Sequence, residues 1–170
     1  MFDQPLDADA IEQYMVEVAD ELAGSSQRTV IIVGGALLAW RGLRDATRDV
    51  DSVEPLDDEL AAAVARVAAR HGLAPKWLNA SAARYLPATL RPEDCDVLLD
   101  RSSLLVLGAP LDQVFLMKLF ASRSADTDDL EAMWPHCSFE SPEAAAEAFY
   151  EAYPLEARDE YLADHIRNII

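Results

Sequence analysis

Apolar residues recur at helical spacing over residues 8–23, where Ile11, Tyr14, Met15, Val18 and Leu22 share one face and Asp7 or Asp9 stands ready as N-cap. GSSQ breaks that pattern. TVIIV (29–33) is then continuous and β-branched, the signature of a buried strand, and Gly34 and Gly35 end it. ALLAWRGLR predicts a helix of about two turns, and DATR connects it to DVDSV (49–53). That second strand carries Asp49 and Asp51 on one face and Val50 on the other, and Pro55 stops it. Residues 56–72 are the clearest helix, with an acidic first turn, a basic end and Gly72 at the C-cap. WLNASAARYLPATLRPED reads as irregular or partly helical. CDVLLD and SLLVLGA read as two strands of a hairpin joined at DRSS. A helix over 110–125 turns Val114, Met117, Leu119 and Phe120 inward, a short helical stretch follows at DTDDLEAMW, and two more helices fill the end of the chain.

The predicted order is α, β, α, β, α, β, β and then helices. It implies one domain over residues 1–170 of the α+β class, an α/β sandwich with a small mixed sheet and helices packed on it. No apolar run approaches the ~20 residues a membrane helix needs. The acidic opening MFDQPLDADA lacks the basic and apolar regions of a secretory signal, so a cytoplasmic protein is expected. Cys95 and Cys137 stand far apart without metal-ligand spacing and are expected to be reduced, packed thiols.

Charge changes the picture. The chain of 170 residues has a net charge of −17, but the acids sit at the ends. Residues 1–27 hold seven acids and no Lys or Arg, and residues 124–170 hold twelve acids against Arg158 and Arg167. The middle is balanced, with twelve of each sign, so an anionic ligand belongs there. Broad, nonspecific nucleic-acid binding is disfavoured by the acidic whole, whereas a small nucleotide site is not.

The candidate chemistry lies in IIVGGALLAWRGLRDATRDVDSV (31–53). Two carboxylates projecting from one side of a strand repel unless a cation sits between them, and oxygen-only ligands suit Mg2+ completed by phosphate oxygens. A glycine pair at a strand-to-helix turn lets backbone N–H groups approach an anion. Taken separately, a glycine pair after a strand is most often only a tight turn and alternating acids most often a solvated strand edge; the combination, in this order and at this distance, is more specific.

Gly34-Gly35, the intervening helix and GLRDATRDVD resemble the DNA polymerase β-like nucleotidyltransferase superfamily. The likeness is greatest to its minimal bacterial members and AbiEii-type toxins, and it covers roughly residues 28–134 with a helical extension over 135–170. The matching positions are Gly34, Gly35, Gly42, Arg44, Thr47, Asp49 and Asp51; Gly35 stands where serine is common in the superfamily. The resemblance implies Mg2+ held by Asp49, Asp51 and a third carboxylate in CDVLLD, with Asp96 the candidate and Asp94 its alternate. It implies an NTP bound by Gly34, Gly35, Arg48 and Lys118, with Asp49, Asp51, Asp96 and Lys118 catalytic. In FLMKLFASRSADTDDLEAM, the resemblance extends from Lys118 to Arg123, Asp126 and Asp129.

The implied reaction transfers NMP from an NTP to an acceptor hydroxyl on a tRNA end or a protein, in a toxin–antitoxin or phage-defence setting with a cognate antitoxin as partner. A tRNA acceptor needs a basic strip near Arg41, Arg44, Arg48 and Arg84. Trp77 and Asn79 either line the pocket or, for Trp77, simply pack. The rival readings are a non-catalytic interaction protein on the same scaffold, binding a basic partner, and a phosphotransferase or hydrolase using D-x-D for metal.

Overall fold

The computed structural model describes residues 4–121 and 126–170. Helix α1 (Ala8–Glu21) begins at Asp7, whose side chain accepts the Ala10 N–H, and it buries Ile11, Tyr14, Met15 and Val18. The strand β1 (Arg28–Val33) is buried from Val30 through Val33, so both of its faces are covered. Then come α2 (Gly34–Trp40), β2 (Val50–Ser52), α3 (Asp58–His71), β3 (Leu78–Asn79), β4 (Asp96–Asp100), β5 (Leu104–Gly108), α4 (Leu111–Ala121), α5 (Thr127–Met133), α6 (Pro142–Ala152) and α7 (Leu162–Ile169).

The five strands form one mixed sheet in the order β3-β2-β1-β5-β4, which is the α+β architecture expected. The pairs β1/β5 and β2/β3 are parallel, while β1/β2 and β4/β5 are antiparallel. The hairpin β4–β5 forms as anticipated, closed by the Arg101 N–H on the Leu104 carbonyl at 2.9 Å. One buried cluster runs from Leu6 to Ile166. No helix among the described residues is long and apolar enough to cross a membrane.

Several boundaries moved for identifiable reasons. Helix α2 starts on the glycine pair itself and stops at Trp40, because Gly42 takes a left-handed φ of 72° and turns the chain away. The stretch expected to be irregular or partly helical holds a 3-10 segment, and its Leu78–Asn79 form β3, while Trp77 packs rather than lining a pocket. Its indole is 1% exposed and donates to the Val64 carbonyl at 3.1 Å. In α4 Phe115 and Leu116 are buried along with Val114, Met117 and Leu119, whereas Phe120 is only half-buried and stacks on Tyr153. Cys95 and Cys137 are free; burial foremost, then nearby carboxylates, push their thiols up to about 11 and about 12, so both stay protonated at neutral pH.

Two stretches that matched no motif hold the middle of the chain in place. Leu6 exchanges backbone hydrogen bonds with Thr47, 2.7 and 2.9 Å long, which pins the loop ahead of β2. At the other end, the Tyr153 hydroxyl donates to the Tyr85 carbonyl at 2.6 Å and the Ala88 N–H to the Ala152 carbonyl at 2.8 Å. The C-terminal helices therefore prop the 3-10 segment Ser81–Tyr85.

Helix α3 is capped by Asp57, which accepts the Leu60 N–H at 2.8 Å and meets Arg28 Nε at 2.7 Å. The backbone donor first, and Arg28 second, hold this carboxyl below its ordinary 3.8. A depressed folded pKa gives stability that is complete above 3.8 and fades as pH falls through the folded value. Asp57→Asn keeps the cap acceptor and loses the charge. It is expected to be less stable than wild type at neutral pH, with the gap closing below 3.8 in urea unfolding followed as a function of pH.

Candidate functional site

A cavity of about 580 Å³ opens where β1 gives way to α2. Antiparallel pairing sets Val33 opposite Asp51, so the turn at Gly34 is beside the carboxylate two residues after Asp49. Val50 between them is fully buried, while Asp49 and Asp51 both line the cavity, as strand alternation requires. Gly34 has φ 64°, a left-handed value that favours glycine, and a Cβ there would lie 3.5 Å from Asp51 Oδ2. Gly35 is glycine for a different reason: a Cβ would meet Thr47 Oγ1 at 2.9 Å and Arg44 Nη1 at 3.1 Å. Any side chain at this position would require Thr47 or Arg44 to shift.

The residues between the glycines and the aspartates thus build the loop that carries them. Arg44 is fixed by its own neighbourhood, with Nε on the Ala46 carbonyl at 2.9 Å and Nη1 on Asp129 Oδ2 at 3.0 Å. Asp129, from α5, also meets Lys118 Nζ at 2.9 Å, and Asp126 meets it at 2.7 Å. Lys118 rises from the apolar helix α4 to the cavity wall with only 11% of its side chain exposed. Its ammonium has three N–H donors, and these two carboxylates take two of them.

Arg48 and Arg84 also line the cavity, so its described wall carries four basic side chains (Arg44, Arg48, Arg84, Lys118) against Asp49, Asp51 and Asp126. In a chain of net charge −17 that is a local reversal of sign. Tyr85, Val114, Met117 and Ala121 supply an apolar side. Of the four arginines expected in a strip, Arg44, Arg48 and Arg84 share this cavity, whereas Arg41 pairs with Asp96 at 2.5 Å.

Asp96 itself is not brought to the cavity. It begins β4, the far edge of the sheet, with β1 and β5 between that strand and β2. Three strand spacings put it roughly 14 Å from the aspartate strand, and its carboxylate is turned to Arg41. Asp94 lies just ahead of it, on the turn leading into β4. Arg123 lies outside the described residues.

The strand beside β2 is instead β3, in which Asn79 is in register with Asp51. Asn79 Nδ2 is 3.5 Å from Asp49 Oδ2, and the Ser81 hydroxyl is 2.9 Å from Asp51 Oδ1. Ser81 carried no sequence signal, and Asn79 only a weak one, because a two-residue strand has no periodicity to read.

The donor set offers two carboxylates and neutral oxygens. Among the described residues no group of three His, Cys, Asp or Glu side chains gathers to hold a metal. Two carboxylates with places left for phosphate oxygens fit Mg2+, which keeps most of its shell for water and substrate. No protein-family model, curated protein or solved structure matches the chain.

Crowding at Gly35 has a measurable consequence. Gly35→Ala is expected to cost about 1–3 kcal/mol through overpacking, read by urea denaturation. In a Thr47→Ala background the cost should shrink, giving a coupling of at least about 0.5 kcal/mol in a double-mutant cycle.

Proposed function

We propose that this chain is a Mg2+-dependent nucleotidyltransferase that moves NMP from an NTP to an acceptor hydroxyl. One observation carries the reading: Asp49, Asp51, Gly34, Gly35, Arg48 and Lys118, drawn from three separate stretches of chain, line a single cavity of nucleotide-binding size. The resemblance in motif order adds to it.

Asp49 and Asp51 would hold the cation. When bound, Mg2+ supplies charge neutralisation for the phosphates and the in-line geometry of displacement. The backbone at the Gly34-Gly35 turn comes close enough to a phosphate to offer its N–H groups, because neither residue carries a Cβ. Lys118 offers its third N–H, and Arg48 adds a guanidinium. Together with the cation they offset part of the charge of a triphosphate that the rest of this acidic surface would repel. The acceptor hydroxyl gives up its proton to solvent, its oxygen forms a bond to the α-phosphorus as the bond from that phosphorus to the β-phosphate bridging oxygen breaks, and pyrophosphate leaves. Asp96 takes no part here, since the strand carrying it is three positions from β2.

Arg84, at the cavity beside Arg48, supports an anionic acceptor such as a tRNA end over a neutral one. A hydroxyl on a protein is the alternative acceptor. The toxin–antitoxin setting and a cognate antitoxin rest on the sequence resemblance alone.

Incubation with α-labelled NTPs, Mg2+ and total RNA or cell lysate tests the reading. Label is expected in RNA. Asp49→Asn and Asp51→Asn should each lower transfer about 100-fold or more, while Asp96→Asn stays within about threefold, as an exposed ion pair contributes little. Label in neither RNA nor protein, with wild type and Asp49→Ala alike in calorimetric NTP binding, would instead identify a non-catalytic interaction protein. Release of inorganic phosphate in place of pyrophosphate would identify a hydrolase or phosphotransferase.

A further inference from the structure

We infer that Asn79 is a positioning residue that steadies Asp49 directly and Asp51 through Ser81 for one divalent cation, supplying a neutral tie where a third negative charge would alter the site. The inference rests on the nucleotidyltransferase reading and narrows its cation requirement. In-register residues on adjacent parallel strands project from the same face, so the Asn79 side chain emerges beside that of Asp51. The orientation of its amide is set locally. Asn79 Oδ1 accepts the Ser81 N–H at 2.9 Å, which turns the NH2 group toward Asp49 Oδ2 at 3.5 Å and the Lys76 carbonyl at 3.4 Å.

The same turn serves the second carboxylate. Ser81 Oγ lies 2.9 Å from Asp51 Oδ1 and 2.5 Å from Asn79 Oδ1, so its single proton is shared between the carboxylate and the amide oxygen that holds Ser81 in place. Each aspartate is therefore steadied by one neutral donor from the segment Asn79–Ser81, and Asp51 Oδ2 faces Gly34. Two like charges side by side repel, and donors of this kind relieve the repulsion without removing the charge a cation needs. An aspartate at position 79 would add a third carboxylate to the pair. One divalent ion neutralises two carboxylates, but three would attract cations more strongly before any nucleotide arrives.

Titration of the full chain with Mn2+ in place of Mg2+, followed by electron paramagnetic resonance without nucleotide, tests this directly. Asn79→Asp is expected to bind Mn2+ about tenfold more tightly than wild type, and Asn79→Ala about tenfold more weakly as the carboxylates lose their tie. A wild-type circular dichroism spectrum for Asn79→Ala separates loss of the tie from loss of folding, and loss of folding cannot imitate the tighter binding of Asn79→Asp. Either variant matching wild type overturns the role of Asn79. Wild type and Asp51→Asn binding Mn2+ alike would overturn the cation site itself, and with it the nucleotidyltransferase reading.

Discussion

Antiparallel pairing of β1 with β2 puts Val33 opposite Asp51, and that register decides where the glycine turn stands relative to the carboxylates. A slip of one residue would send Val50 to the cavity and both aspartates into the core, where charge is prohibitively costly. The register is held from both sides. On one, the fully buried Val50 and Ser52 anchor β2; on the other, β5 pairs with β1 along five consecutive residues. Core packing at the middle of the sheet thus sets where the site stands, and its polar residues add ties of their own to that frame.

Electrostatics then acts on that frame. Acidic surface at both ends of the sequence surrounds a cavity whose described wall carries more basic than acidic side chains. The basic groups are constrained: Lys118 is tied to Asp126 and Asp129, and Arg44 to Asp129 and the Ala46 carbonyl. Asp129, 8% exposed, joins α4 and α5 to the loop before β2, so the cation-bearing helix and the carboxylate-bearing strand are coupled through one side chain.

Local pattern sufficed for much of this. Helices α1 and α3 were legible because spacing, caps and breakers agree, with Asp7, Asp57 and Gly72 all acting as their residue types suggest. Strand alternation correctly put Asp49 and Asp51 on the side opposite Val50. What was not legible was strand order. Asp96 has the right residue type on a convincing strand, but only the sheet's topology shows that β5 and β1 separate it from β2. Asn79 was overlooked as a partner of the aspartates for the converse reason, since its strand is two residues long and gains meaning only from its parallel neighbour. The roles of Leu6 and Tyr153 are likewise long-range and leave no periodic trace.

The props from the C-terminal helices make the cavity wall part of a larger cooperative unit. With the Ala88 amide bonded to Ala152 and the Tyr85 carbonyl to Tyr153, the stretch between Ser81 and Ala88 cannot peel away while α6 stays docked. Solvent exchange at the Ala88 amide therefore demands an excursion of the helical end of the molecule, so that distant surface sets how often this flank of the pocket breathes.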